Sequence, residues 1–350
     1  MSKLRVGIIF GGKSGEHEVS LMSAASVIKY LPSDKYEPIL IGITKSGKWL
    51  TKGNPWETLT KKNADDAGFI PVELLASLDV VFPVLHGTYG EDGTIQGLLE
   101  MCDLPYVGAG VLGSSVGMDK VIMKSVFKEH GLPLANYKVI LQPDWQKAPD
   151  QICQDIIDLL GFPVFVKPAN LGSSVGINKA RDKSELIKSI NIAYRYDRKL
   201  VVEEFIPARE LECSVLGNDD PQASVVGEVV PHNEYYDYEA KYTAGKSDLI
   251  IPAQLEQEVA DQIRALAIAA FKAVDCCGMA RMDFFLHRAT GEIIVNEINT
   301  LPGFTNLSMY PRLWQASGLN YPDLLDKLIQ LALERHTKRA QYSTSRLNHD

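Results

Sequence analysis

The residue types best suited to chemistry lie in two apolar segments late in the chain, joined by a polar turn around Thr290. Their length and their alternation of apolar with polar residues predict a β-hairpin. A register centred on Thr290 places Asp283 opposite Glu297, and the same register places Arg281 opposite Asn299. Because side chains two residues apart in a strand share a face, all four are expected on one face of the hairpin.

This group of side chains suits a divalent cation. Asp283, Glu297 and Asn299 supply the carboxylate and amide oxygens that magnesium prefers, and water and nucleotide phosphates would fill its other positions. The alternative is a solvated face with a cross-strand ion pair, which the apolar residues beside each charge argue against. Two unneutralised carboxylates facing each other would repel, so a bound cation explains the pattern better.

Lys167 ends an apolar, strand-like run at 162–168 and is followed by the loop 172–176, which contains only small residues and one valine. A lysine at the end of a buried strand needs an anionic partner, and such a loop can fold its backbone amides over phosphates. The alternative is a hairpin whose lysine extends its charge into water. We favour phosphate binding because Lys120, at the head of a helical segment, is a second cation in a similar setting.

Residues 7–14 match the G-x-x-x-x-G-K-[ST] pattern of a P-loop. We interpret the match as accidental, because Ile8, Ile9 and Phe10 are strand formers, whereas a P-loop needs these positions for a backbone cradle. The turn can still present amide groups and Glu16 to a small zwitterionic ligand whose ammonium Glu16 would receive. On this segment alone, a helix start with a solvated Glu16 is an equal alternative.

The elements that would position these residues change in kind along the chain. In the first third we predict strands at 4–10, 38–43 and 78–85 and helices at 19–31 and 94–101. This alternation predicts a small parallel α/β domain. A helix is expected at 118–130, β patterns dominate from residue 162, and a helix follows at 255–274. The polar residues 338–350 are expected to form a frayed tail.

Composition limits the classes of protein that fit. The 350 residues are 45% hydrophobic and 23% charged, which indicates a folded chain of two or three modest domains sharing a cleft. A net charge of -8 argues against broad binding to nucleic acid or a membrane surface. The sequence shows neither signal architecture nor an apolar run of about 20 residues, so a cytoplasmic location is expected. The cysteines lack C-x-x-C spacing and are expected to be reduced thiols: Cys102, Cys153, Cys213, Cys276 and Cys277.

With these motifs in place, the chain closely resembles the D-alanine:D-alanine ligases of the ATP-grasp superfamily from Val6 to about Leu333. The motifs that carry the resemblance, in family order, lie at 11–12, 14–20, 86–97, 118–120, 166–168, 172–176, 236–242, 281–283, 297–299 and 302–303. Chance does not plausibly give that set.

The resemblance implies an α/β fold that is α+β in its ATP-grasp part. A Rossmann-like N-terminal substrate domain would be followed by a two-domain ATP-grasp, with ATP held between the last two domains. The implied domains are 1–123, 124–206 and 207–337, before the tail at 338–350. The resemblance also implies a homodimer and two molecules of D-alanine as substrates.

The resemblance assigns a nucleotide and metal half to the site. Asp283, Glu297 and Asn299 would hold two magnesium ions, for which manganese could substitute. The residues implied in ATP binding are Lys120, Lys167, Ser174 and Lys241 around the phosphates, and Glu203, Glu204, Phe205, Ile206 and Glu210 around adenine and ribose. The family commonly has a tryptophan and a leucine where this chain has Phe205 and Ile206, so the apolar wall is expected with an altered shape.

The resemblance also assigns the amino-acid half. Glu16 would bind the first ammonium, and Arg281 with the amide of Gly303 would stabilise the oxyanion. Ser308 and Met309 would lie at the second substrate's carboxylate. The implied catalytic residues are Glu16, Ser173, Tyr242, Arg281 and Gly303, and the implied substrate-binding residues are Glu16, His86, Arg281, Gly303, Ser308 and Met309.

The implied reaction phosphorylates the carboxylate of one D-alanine with ATP, and the amine of a second then attacks the acyl phosphate. Its product would feed bacterial peptidoglycan synthesis. One alternative is an ATP-grasp ligase that joins a different amino or hydroxy acid. Another is a nucleotide-binding regulator without activity, which the retained lysines, carboxylates and Arg281 argue against. ADP release that depends on D-alanine would separate these hypotheses.

Overall fold

The computed structural model describes residues 2–60, 68–172, 175–231 and 247–343. Its first elements are β1 (Leu4–Gly11), α1 (His17–Tyr30), β2 (Tyr36–Ile43), β3 (Trp49–Leu50), α2 (Pro55–Thr60), α3 (Val72–Leu75), β4 (Val80–Val84) and α4 (Thr94–Met101). Their sheet has the order β3-β2-β1-β4, with β1 parallel to both β2 and β4 and β3 antiparallel to β2. Ile8, Ile9 and Phe10 are fully buried within β1, as expected for a central parallel strand. The P-loop pattern is therefore not a P-loop.

The central elements are α5 (Val111–Met118), α6 (Lys120–Glu129), β5 (Tyr137–Leu141), α7 (Gln142–Lys147), α8 (Pro149–Leu160), β6 (Val164–Pro168), β7 (Asn178–Ala180), α9 (Lys183–Ala193) and β8 (Lys199–Glu204). The four strands form an antiparallel sheet in the order β5-β8-β6-β7. β6 and β7 pair antiparallel, and Lys167 lies near the end of β6, as the apolar run before it predicted.

The last elements are β9 (Ala208–Gly217), β10 (Gln222–Pro231), β11 (Ser247–Ile250), α10 (Gln257–Ala273), β12 (Gly278–His287), β13 (Ile293–Asn299), α11 (Met309–Ala316) and α12 (Tyr321–Arg339). The strands form a third sheet in the order β11-β10-β9-β12-β13. Leu324, Leu325 and Leu328 of α12 join a buried cluster with Val6 and Phe82 of the first sheet. This packing joins α12 to the N-terminal sheet in one core.

The structure refines three of the predicted elements. The helix expected at 118–130 is α6, which begins at Lys120 because the Asp119 side chain accepts hydrogen bonds from the amides of Val121 and Ile122 as its N-cap; Met118 is the last residue of α5. The stretch expected to be mainly β contains α9, which begins in the same way at Asp182. The predicted tail begins later than residue 338, because α12 continues through Arg339; residues 344–350 lie outside the described ranges.

The cysteines are free thiols, as expected, with Cys153, Cys213 and Cys276 buried. Across the described ranges, no helix is both long and apolar enough to span a membrane.

Candidate functional site

The β12–β13 hairpin has the predicted register at its functional end. Arg281 pairs with Asn299 and Asp283 with Glu297. Beyond Asp283 a β-bulge shifts the register by one residue, so that Phe284 faces Val295. A bulge adds one residue to one strand and bends it, and such irregularities are common beside active sites.

Arg281 neutralises Asp283 directly, so this carboxylate has a cationic partner of its own in addition to any bound metal. The Arg281 Nε and Nη2 atoms donate to Asp283 Oδ1 and Oδ2, each at 2.7 Å. The same Nε lies 2.9 Å from Glu212 Oε2 on β9, and Asn299 Nδ2 donates to Asp283 Oδ2 at 3.1 Å. Since a planar guanidinium held by two carboxylates has little freedom, Arg281 and Asp283 are fixed relative to each other.

The donor set at the hairpin fits an oxygen-preferring divalent cation. Among the described residues, no group of three or more His, Cys, Asp or Glu side chains converges as a metal site. The predicted set has only two carboxylates and one amide, and such a set suits magnesium when nucleotide phosphates and water complete the coordination. Asn299 uses its amide nitrogen on Asp283, which leaves the amide oxygen as the group it can offer a metal.

A cavity of about 470 Å³ lies between the central sheet and the last sheet. The predicted residues that line it are Lys167, Glu203, Glu204, Phe205, Ile206, Glu210, Asp283 and Glu297. A smaller cavity of about 40 Å³ is lined by Lys120, Gly172, Glu297 and Asn299, among others. Because Glu297 lines both, the predicted metal ligands lie where the larger cavity meets the smaller one.

One wall of the large cavity is aromatic. The ring centroids of Phe165 and Phe205 are 6.2 Å apart. Lys179 Nζ lies 3.8 Å from the centroid of the Phe205 ring. The altered apolar wall expected at Phe205 is therefore accompanied by a cation above that ring.

Beneath the cavity, Glu203 is held between two buried lysines. Its Oε2 accepts from Lys167 Nζ at 2.7 Å, and its Oε1 lies 3.0 Å from Lys124 Nζ. Burial alone would raise the pKa of Glu203, but the charges of Lys124 and Lys167 outweigh it and lower the pKa from 4.5 to about 2. Burial likewise opposes charging of Lys167, whose pKa is nevertheless raised by Glu203. Glu203 and Lys167 are therefore both charged at neutral pH.

Because of this ion cluster, we expect the free energy of unfolding to fall in acid. The lowered pKa of Glu203 stabilises the fold above pH 4.5, and this contribution is lost as the pH falls from 4.5 towards 2. The shift corresponds to a stability difference on the order of 3 kcal/mol. In urea unfolding at pH 7, Glu203→Gln should have a lower free energy of unfolding than the parent. The difference between the two free energies should become smaller as the pH falls from 4.5 towards 2. A gap that stays constant with pH would contradict the assignment.

Lys120, the first residue of α6, contacts the loop predicted to cover phosphates. Its Nζ donates to the Leu171 carbonyl at 2.7 Å and lies 3.9 Å from Glu297 Oε2. Its backbone amide donates to the Ala169 carbonyl at 3.0 Å. The structure therefore brings Lys120 beside the predicted metal carboxylate and the small-residue loop.

Glu16 is buried rather than solvated, with 7% of its surface exposed. Its Oε2 lies in a narrow space between two glycines, because a Cβ on Gly87 would come within 2.5 Å of it and a Cβ on Gly172 within 2.8 Å. The turn after β1, the loop after β4 and the loop after β6 thus meet at one carboxylate. This arrangement argues against the alternative of a solvated helix start.

His86 is also buried beside Glu16. Its Nδ1 lies 3.0 Å from the Leu301 carbonyl and 3.7 Å from Glu91 Oε1. Burial opposes protonation, but the negative charges of Glu91 and Glu16 raise the pKa of His86. Burial and the charge of Glu16 raise the pKa of Glu91, against the effect of His86. His86 and Glu91 therefore form a buried histidine–carboxylate contact close enough to Glu16 for its charge to act on both.

Gly303 and Ser308 lie in one tight loop before α11. A Cβ on Gly303 would come within 2.8 Å of Ser308 Oγ, which accepts from the Thr305 amide at 3.0 Å. Met309 packs in a buried cluster with Val229 and Leu313, so its side chain belongs to the core and only its backbone is available to a ligand. A helix start of this kind suits a carboxylate.

Four predicted residues, Ser173, Ser174, Lys241 and Tyr242, lie outside the described residues, and their roles stay predictions. Sequence reasoning missed Lys124, Glu91 and Glu212. Lys124 lies four residues after Lys120 beside the buried Met123 and Phe127, and this position on an apolar helix face could have been noticed.

Two protein-family models match the chain: "D-ala D-ala ligase N-terminus" over residues 5–109 and "D-ala D-ala ligase C-terminus" over residues 126–330. The chain is similar to the D-alanine–D-alanine ligase of Halothermothrix orenii, with 53% identity over 95% of this chain and 99% of the relative. With that of Natranaerobius thermophilus it shares 48% identity over 98% and 99%.

Solved structures are similar over nearly the whole length. The D-alanine-D-alanine ligase from Coxiella burnetii matches with a TM-score of 0.84 and 37% identity, covering 97% of each chain. The VanG D-Ala:D-Ser ligase from Enterococcus faecalis matches with a TM-score of 0.83 and 35% identity, covering 95% of this chain and all of that one (100%).

Proposed function

This chain belongs to the D-alanine:D-alanine ligase family, and from that premise we propose that it couples two D-alanine molecules at the expense of ATP, in the presence of magnesium. The observation that carries the proposal is the large cavity. Eight of the residues expected to bind nucleotide or metal line it, although they come from four separated segments of the chain.

The nucleotide half follows from the charges around the cavity. Lys167 and Lys120 would contact the ATP phosphates, and Glu203 to Ile206 with Glu210 would receive adenine and ribose. Asp283, Glu297 and Asn299 would hold two magnesium ions, or manganese in their place. When bound, these ions would neutralise the negative charge that spreads over the transferred phosphoryl group. The lysines hold that group in position for transfer.

The amino-acid half follows from the buried carboxylate of Glu16. Glu16 would bind the ammonium of the first D-alanine, with His86 beside it. Arg281, which Asp283 and Glu212 hold in place, and the amide of Gly303 would stabilise the oxyanion formed when the second amine attacks. Ser308 and the backbone of Met309, at the start of α11, would receive the second carboxylate.

An acyl phosphate would be the intermediate, so water must be kept from it. Ser173, Tyr242, Ser174 and Lys241 are proposed to complete the site. We further infer a Rossmann-like N-terminal domain over 1–123, ATP-grasp domains over 124–206 and 207–337, a homodimer, and a cytoplasmic role in peptidoglycan precursor synthesis. The parallel pairing of β1 with β2 and β4 supports the first of these inferences.

Product analysis tests the proposed function. The purified protein is given ATP and magnesium with equal D-alanine, D-serine and D-lactate, and the products are identified by mass spectrometry while ADP is measured. We expect ADP release that depends on D-alanine, with D-alanyl-D-alanine as the main product. D-Alanyl-D-serine or a depsipeptide as the main product would instead favour the related ligases with another second substrate. ADP release that is independent of D-alanine would contradict the proposal.

The close approach of Glu16 to the small-residue loop gives a further prediction. In Gly172→Ala, the added methyl group would lie 2.8 Å from Glu16 Oε2, so the carboxylate must move. Because a small misplacement of a binding group is costly, we expect KM for the first D-alanine to rise by about tenfold or more.

Gly97→Ala in α4 is the matched control, since a Cβ there meets no atom within 4 Å. It should leave KM unchanged. Steady-state kinetics with varied D-alanine measure both variants, and an unchanged KM in Gly172→Ala would remove Glu16 from the ammonium site.

A further inference from the structure

Lys124 has no role in the proposed reaction, yet it is among the most deeply buried charges of the described residues, with 1% of its surface exposed. It lies on α6, one helical turn after Lys120. Lys124 Nζ lies 3.0 Å from Glu203 Oε1 and 5.6 Å from the centroid of the Tyr137 ring. A buried ammonium is costly unless a carboxylate compensates it, so Glu203 is its essential partner.

The two oxygens of Glu203 have different partners. Oε2 accepts from Lys167, which lines the nucleotide cavity with Glu203, whereas Oε1 faces Lys124 behind that wall. A carboxylate held from one side only could rotate, but one held from both sides is fixed. Lys124 therefore influences the cavity through its ion pair with Glu203.

Two ion pairs, one near each end of β8, hold α6 against this strand. Lys199 at the start of β8 forms an ion pair with Asp119, the N-cap of α6, and Glu203 near the end of β8 pairs with Lys124. Lys120, between these two contacts in sequence, is thereby set against the phosphate loop. One helix thus supplies Lys120 beside the phosphate loop and Lys124 behind the Glu203 wall of the cavity.

We propose that Lys124 is a positioning residue for the nucleotide: it orients Glu203, and through Glu203 it sets the position of Lys167. This inference rests on the proposed use of ATP. It adds a residue that touches neither nucleotide nor amino acid but determines how well the nucleotide is bound. Adenine has an exocyclic amino group, and an ionised carboxylate in the correct orientation accepts a stronger hydrogen bond from it than a neutral acceptor does.

The charged groups that act on this pair are few. Glu203 faces Lys124 from α6 and Lys167 from β6, and both lower its pKa. The charges of the Glu297 and Glu210 carboxylates also raise the pKa of Lys167. Without Lys124, burial of Glu203 would be opposed by one lysine instead of two, and its pKa would move upwards towards the assay range.

The test measures binding of magnesium AMP-PNP by calorimetry, with D-alanine absent, at pH values from 8 to 5.5. In Lys124→Met we expect Kd to rise by at least about tenfold at pH 8, since Glu203 loses one of its two cationic partners. The ratio of the variant's Kd to the parent's should grow further as the pH falls. KM for D-alanine should stay unchanged. Lys128→Met, an exposed lysine on the same helix, is the control and should match the parent.

Two further variants separate positioning from mere packing of α6. Lys124→Arg keeps the charge, so its Kd should recover at least partly, and its ratio to the parent should stay level with pH. In a Glu203→Gln background, adding Lys124→Met should change Kd no further, because the route through Glu203 is already broken. Should Lys124→Met not fold, Lys124→Gln, which loses the charge but retains a donor, carries the same test.

Equal affinity of the parent and Lys124→Met at every pH would overturn the inference while leaving the proposed function intact. An additional loss of affinity in the Glu203→Gln background would also overturn it. A parent protein that binds no AMP-PNP would instead contradict the proposed function, so the two failures are distinguishable.

Discussion

Glu297→Gln should yield a folded protein that ligates D-alanine about a thousandfold more slowly than the parent, since metal and preorganised charge contribute on this scale to phosphoryl transfer. Glu297 lies opposite Asp283 and lines both the large and the small cavity. The amide that replaces it keeps the size of the side chain but removes the charge that a divalent cation needs.

The experiment must separate loss of metal from loss of fold. Circular dichroism and thermal unfolding should match the parent, because Glu297 is partly exposed rather than packed in the core. The affinity for AMP-PNP should depend much less on added magnesium than it does in the parent. Glu292→Gln, an exposed carboxylate at the turn of the same hairpin, is the control and should behave as the parent. Near-parent turnover of Glu297→Gln in ordinary magnesium would show that the metal assignment is wrong.

A substitution of Asp283 would be a less selective test of the metal site, because Asp283 both holds Arg281 and is a proposed metal ligand. Its carboxylate is bound by both Arg281 and Asn299, so Asp283→Asn would disturb Arg281 as well as a metal. Glu212 would then be the remaining carboxylate partner of Arg281 in this contact. Glu297 is therefore the better residue for testing the metal site alone.

The register of this hairpin could be predicted because its strands alternate around a recognisable turn. The bulge beyond Asp283 was missed, although Ile293, Ile294 and Val295 are all buried and break the alternation. The pairing of Arg281 with Glu212 could not be predicted, because it requires knowing that β9 lies beside β12. Local pattern fixes which face a side chain occupies, but not which of several partners from distant segments reaches it.

The cluster beneath the cavity shows the same limit. A lysine at the end of an apolar strand indicated that Lys167 needs an anion, and the sequence suggested phosphate. In the structure Lys167 is paired with Glu203, 36 residues away, and Glu203 is shared with Lys124. The spacing of Lys120 and Lys124 on α6 was visible in the sequence, but the carboxylate between the lysines was not, because it depends on the packing of α6 against β8.

Lys167→Met should therefore impair binding and chemistry together, whereas the larger effect of Lys124→Met should be on binding. Lys167 lines the cavity and would contact the phosphates, so its loss removes a cation that acts more strongly as charge develops in the transition state. We expect kcat/KM for ATP to fall by roughly a hundredfold to a thousandfold, with kcat itself reduced. The fold should survive, because Lys124 still compensates Glu203.

Lys138→Met, on β5 of the same sheet, is the control, since Lys138 pairs with Asp155 at the surface. Single-turnover measurement of ADP formation at saturating ATP separates binding from phosphoryl transfer. Unchanged nucleotide affinity together with unchanged turnover would remove Lys167 from the site and leave its pairing with Glu203 as a purely structural contact.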